Sequence, residues 1–89
     1  MNLPKSSDYK LVKSGHECSS IDEKLGELNH VWECASACRE KSGCEYFIFG
    51  AYNGVRKGKC FWEKTTFANC PEEWRMVDYD FYAMTGIMH

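Results

Sequence analysis

The sequence predicts an α+β fold in which a single helix packs on a small twisted antiparallel sheet, with disulfides stapling the two together. Three observations lead there. Residues 29–42 carry one helical stripe of small apolar side chains that ends at Gly43. Two β-rich runs, residues 44–52 and 59–64, flank an Asn53-Gly54 turn dipeptide, and a third run closes the chain at residues 77–84. Six cysteines stand in a chain of 89 residues. A core of that size holds itself only marginally, so cross-links are a useful supplement.

The first eight residues are a polar lead-in to a single domain over residues 9–85, and residues 86–89 are a tail. Tyr9-Lys10-Leu11-Val12-Lys13 alternates as a short strand, with Tyr9 and Leu11 on one side. Residues 14–28 hold Gly15, Gly26, serines and several charges around the isolated anchors Ile21, Leu25 and Leu28, and read as an ordered loop. Asn29 is the expected N-cap of the helix and Gly43 its expected C-cap. Val31, Cys34, Ala35 and Cys38 fall at i, i+3, i+4 and i+7, and their small side chains let the helix lie close to a sheet. Glu33 near its start, and Arg39 and Lys41 near its end, complement the helix dipole.

In the run that follows, Phe47 and Phe49 share one face while Tyr46 and Ile48 share the other, so both faces are expected to be covered. Lys59-Cys60-Phe61-Trp62-Glu63-Lys64 is the returning strand, after a hairpin loop lengthened by Val55-Arg56-Lys57-Gly58. Residues 65–75 include Pro71 and read as loop. In the last strand Tyr79, Phe81 and Ala83 share one face.

Composition limits function as well as fold. One small domain leaves no room for a second core, a stack of structural repeats or an α/β cofactor enzyme. With 44% hydrophobic and 15% aromatic residues the chain is built to fold. A formal charge of −2 speaks against a nucleic-acid binder, and no apolar run approaches the length of a membrane span, so no membrane insertion is expected. The opening residues lack the apolar core of a signal peptide, as expected of a module cut from a longer secreted protein.

Cysteine spacing suggests a pairing. Cys34 and Cys38 sit on one face of the helix, where a bond between them would strain it, so each needs a different neighbour. Cys38 lies one turn from the helix end and Cys44 opens the next strand, an easy pair. Cys34, one turn deeper, faces Cys60 on the returning strand, which leaves Cys18 for Cys70. Of the fifteen arrangements that six cysteines allow, this is the one the spacing favours. Structural zinc is the rival explanation, but it prefers paired Cys-x2–4-Cys knuckles. Cys34-x3-Cys38-x5-Cys44 is followed by one distant cysteine and no histidine pair, so no metal and no cofactor are expected.

The same residues resemble the core of a PAN/apple domain: the helical Cys34-x3-Cys38-x5-Cys44, then Glu45-Tyr46-Phe47-Ile48-Phe49, then Lys59-Cys60-Phe61-Trp62-Glu63-Lys64. In that family one helix cysteine pairs with the central hairpin and the next with the residue before the following strand, which coincides with Cys34–Cys60 and Cys38–Cys44. Cys18 and Cys70 depart from the blood-coagulation members, whose third bridge joins the extreme termini. The similarity spans roughly residues 18–84 and is closest to apple modules of apicomplexan microneme adhesive proteins, particularly at Phe67-Ala68-Asn69-Cys70-Pro71-Glu72-Glu73. It implies secretion through a microneme organelle, sister modules in the full-length protein, and a role in host-cell attachment by binding a protein partner. The alternative it implies is a lectin-like module for host glycans.

No catalytic constellation is legible, and no enzyme is expected. His16, His30 and His89 are scattered, every cysteine is better used as a bridge, and no Gly-x-Ser-x-Gly or phosphate-binding loop occurs. Glu72 and Glu73 are adjacent on a loop, a pattern that usually means solvated charge. Two groups remain as candidate ligand contacts. Arg56, Lys57 and Lys59, with Lys64 nearby, concentrate positive charge that suits a sulphated glycan or an acidic protein surface, although clusters this small are usually just a solvated hairpin tip. Trp62 and Trp74, with Tyr52 and Tyr82, offer rings on which a sugar stacks, and some apple modules of parasite adhesins recognise galactose- or sialyl-bearing glycans. Packing around disulfides employs the same rings. The expected role is recognition by loops held on a braced scaffold.

Overall fold

Long-range pairing builds most of this structure. The computed structural model describes residues 8–51 and 54–85. Its elements are β1 (Tyr9–Lys13), β2 (His16–Cys18), β3 (Asp22–Glu27), α1 (Val31–Arg39), β4 (Tyr46–Gly50), β5 (Lys59–Glu63), β6 (Trp74–Met76) and β7 (Tyr79–Met84). Five strands pair antiparallel in the order β1-β7-β4-β5-β3, and β2 pairs with β6 in a separate two-stranded ribbon. The outcome is the α+β, disulfide-stapled class expected from the sequence. The lead-in up to residue 7, the tail 86–89, Tyr52 and Asn53 lie outside the described residues.

The helix buries its expected stripe, with Cys34, Ala35 and Cys38 inaccessible to solvent. Its ends differ from the expectation. His30, in extended conformation, is the N-cap in place of Asn29. The reason is Glu33, whose Oε1 accepts the backbone N–H of both Asn29 and His30 at 3.0 Å. The helix stops at Arg39, and a turn carries the chain on to Gly43 at φ +87°, a left-handed position suited to glycine. Lys41 therefore lies outside the helix, where it pairs with Glu23 at 3.0 Å.

β4 is central and covered on both sides. Phe47 faces α1 in a cluster with Cys34, Ala35, Cys38, Cys44 and Cys60. Ile48 faces the other way, with Cys18, Cys70, Tyr79 and Phe81. Phe47 stacks on Tyr82 at 5.0 Å, and on the opposite face Trp74 meets Phe81 edge-on at 4.9 Å. Such contacts add to the burial of the rings themselves.

Three further sequence expectations need correction. Residues 14–28 are not loop: they contain β2 and β3. Residues 65–75 likewise hold the start of β6, with Trp74 and Arg75 in its strand. Neither shows alternation, because β3 is an edge strand with charged residues and an irregular register between Lys24 and Gly26, and the ribbon is only three residues long. The third concerns β1, where Tyr9 packs on the helix-side cluster but Leu11 is 53% exposed. Pairing with β7 is irregular between Leu11 and Lys13, and Val12 packs on the opposite cluster.

Three disulfides are formed, Cys34–Cys60, Cys38–Cys44 and Cys18–Cys70, with Cα–Cα distances of 5.6, 5.4 and 5.7 Å. The first two lie on the helix side. The third joins β2 to the segment before β6 on the other side, well inside the termini.

Where ribbon and sheet meet, Glu63 ends β5 with its side chain fully buried. Its Oε1 accepts the Ser20 hydroxyl at 2.6 Å, while Oε2 has no hydrogen-bond partner among the described residues. Asp22 and Glu17 lie close by, and Arg75 donates from Nε to Glu17 Oε2 at 2.8 Å. Burial is the main cause that pushes the Glu63 pKa up to about 8; Asp22 and Glu17 add to the rise, and the Ser20 hydroxyl and Arg75 oppose it.

Two predictions follow from these contacts. Chain entropy assigns roughly 3.6 kcal/mol to closing the Cys34–Cys60 loop and roughly 2.4 kcal/mol to the Cys38–Cys44 loop. Serine replacement of Cys34 and Cys60 is therefore expected to unfold the domain near 37 °C, whereas replacement of Cys38 and Cys44 only lowers the melting temperature; calorimetry of the two double variants checks this. For Glu63, the folded pKa lies above the unfolded value of 4.5, so its stabilising contribution is complete below that value and is lost as pH rises through about 8. In chelator-treated buffer, urea denaturation should show stability falling by up to about 1.4 kcal/mol per pH unit across that window, with Glu63→Gln flattening the slope.

Candidate functional site

Two glycines determine how the β4–β5 hairpin folds back. Gly50 ends β4 directly against the Arg56 carbonyl, where any Cβ would overlap the oxygen. Gly58, at φ +84°, sits under the Leu28 carbonyl, which a Cβ would approach to 2.7 Å. The Gly58 carbonyl in turn accepts the Leu28 N–H at 2.8 Å. The hairpin loop is thereby laid against the segment that enters α1.

Between that loop, the start of α1 and the adjoining ends of β4 and β7 lies a groove of about 280 Å³. Val31, Phe49 and Tyr82 give it apolar surface, and His30, Lys57 and Asp80 give it polar groups. Burial, and secondarily the charges of Asp80 and Tyr9, push the Tyr82 pKa up to about 12, so its phenol keeps its proton and can donate it in a hydrogen bond at neutral pH. Asp80 is fixed in place, because its Oδ1 accepts the Gly15 N–H at 2.8 Å and the Ser14 hydroxyl at 3.1 Å. The His30 ring is stacked on Trp32, with centroids 5.7 Å apart. Apolar surface with a few oriented polar groups is the ordinary make-up of a recognition site.

The four candidate cations are not gathered into one patch. Lys57 lines the groove, but Arg56 turns to the opposite face of the sheet and lies 5.6 Å from the Tyr79 ring centroid. Lys59 sits opposite Glu27 in the β3–β5 register. Lys64 pairs with Glu23 at 3.2 Å and covers the Trp62 ring at 4.3 Å. The aromatic candidates are divided as well. Trp62 packs on the helix-side cluster, while Trp74 packs on the other, with the Lys13 ammonium 5.6 Å from its ring and His16 edge-on at 6.5 Å. No single ligand of modest size stacks on both tryptophans. Of the three candidate rings among the described residues, Tyr82 lines the groove; Tyr52 lies outside the described residues, as does His89.

The groove itself was missed from sequence, since Asn29, His30, Val31, Phe49 and Asp80 come from segments far apart in the chain. Gly50 and Gly58, flanking a hairpin loop, were the one available signal. As for chemistry, all six cysteines are bonded, which leaves no thiolate nucleophile. Glu72 accepts the Thr65 hydroxyl at 2.7 Å and so has a structural partner. No helix among the described residues is long and apolar enough to cross a membrane. No protein-family model, no curated protein and no solved structure matches this chain.

Proposed function

We propose that this chain is a non-enzymatic extracellular recognition module of PAN/apple type, one of several in a secreted adhesive protein, and that it binds a protein partner in host-cell attachment. The groove between α1 and the hairpin loop carries the reading. It combines apolar walls with one cation and one fixed carboxylate, on elements held by the Cys34–Cys60 bridge. Val55, 85% exposed in the hairpin loop two residues before Lys57, offers an apolar side chain that a protein surface covers on binding. Three disulfides in so small a domain suit an oxidising, extracellular compartment.

Carbohydrate binding is the second reading, favoured by Tyr82 and Asp80 lying together in the groove beside Asn29. The two readings separate in one pair of measurements. On immobilised chain, a partner from host-cell surface protein is expected to be retained by wild type and weakened roughly tenfold, or about 1.4 kcal/mol, by the Val55→Asp and Lys57→Glu pair. Lys13→Glu on the opposite face should leave retention unchanged. Saturable binding on a glycan array that Lys57→Ala abolishes, with no protein retained, would move the assignment to the lectin reading.

A further inference from the structure

We propose that Glu17, Asp22 and Glu63 form a calcium site at the seam between the β2–β6 ribbon and the five-stranded sheet. One carboxylate comes from each of β2, β3 and β5, and one oxygen of each lies within 4.8 Å of the other two. Two oxygens bound at about 2.4 Å to one calcium ion stand at most about 4.8 Å apart, so every pair of these carboxylates is within the reach of one ion. The donors are all oxygen, which selects a hard cation, and calcium's flexible geometry suits ligands fixed by three separate strands.

Charge and hydrogen bonding point the same way. Asp22 stands directly opposite Glu63 in the β3–β5 register, where two ionised carboxylates destabilise a sheet unless a cation lies between them. Arg75, opposite Glu17 in the β2–β6 register, engages Glu17 Oε2 and supplies one positive charge. With Glu63 ionised, three carboxylates against one guanidinium leave an excess of two negative charges, which one divalent ion neutralises as it displaces the Glu63 proton. The second observation is independent of that count. Glu63 is fully buried, its Oε1 is held by Ser20, and its Oε2 has no hydrogen-bond partner among the described residues. A buried carboxylate oxygen left without a partner is costly, and a bound cation removes that cost. Asp22 is exposed, so the ion has a route from solvent, and water fills its remaining coordination positions.

Thermal unfolding of the whole chain, stripped with chelator and then held in about 10 mM calcium or in sodium chloride of equal ionic strength, tests the site. That concentration is roughly tenfold above the weakest dissociation constants of extracellular calcium modules, so the melting temperature is expected to rise by about 5 °C or more in calcium alone. Glu63→Gln keeps the side-chain shape and the Ser20 contact, and Asp22→Asn changes an exposed position; both variants are expected to fold and to lose the rise. An unchanged melting temperature of the wild type in calcium, the result if Glu63 holds only a proton, overturns the proposal. So does an equal rise in the two variants.

Discussion

The closeness of α1 to β4 and β5 sets the geometry of the whole helix side, and the Cys34–Cys60 bond fixes it. Its Cα atoms are 5.6 Å apart, a separation that only small side chains on the contacting helix face allow. Ala35 and the bonded cysteines supply that face, and Phe47 fills the space between helix and sheet with no solvent exposure. A larger residue at position 35 would push the helix off the sheet and load the bridge with strain. The start of α1 is held by the same contact, and the groove wall that Val31 and His30 provide is held with it.

The opposite face of β4 meets a different demand. A strand with Phe47 on one side and Ile48 on the other must be covered twice, and one helix covers only one side. The short β2–β6 ribbon, with Trp74 across Phe81 and the Cys18–Cys70 bridge beside it, is the second cover. Three-residue strands contribute little on their own, so covalent closure over a sequence separation of 52 substitutes for the hydrogen bonds a longer ribbon would have.

What the sequence made legible follows from where its signals come from. The helix, β4, β5 and β7 announce themselves through local periodicity, and the helix cysteines point to their partners because helix geometry allows few others. β2, β3 and β6 were invisible to that reading. Their register partners are far away in the chain, Met76 for His16 and Glu63 for Asp22, and half of their residues are charged. The groove was hidden for a related reason: it joins residues near 30, 50, 57 and 81, which no local window brings together. Lys57 and Tyr82 were singled out for charge and aromaticity, and both line the groove. Trp62 and Trp74 stand out on the same grounds, and both pack, partly buried, against the two core clusters, because in so small a domain the core needs large rings.

β5 places the groove and the buried carboxylate at opposite ends of one strand. At one end, Gly58 precedes the strand and lines the groove; in the middle, Cys60 is bonded to the helix; at the other end, Glu63 is buried at the seam with the ribbon. Glu63 stands five positions after Gly58, an extended span of about 17 Å, with a covalent anchor between them. A change of charge state at the seam therefore acts on the ribbon and the edge strand β3, which it touches, while the groove is held independently by the bridge. The hairpin loop can then vary in sequence, within the limits Gly50 and Gly58 impose, without disturbing the core that positions it.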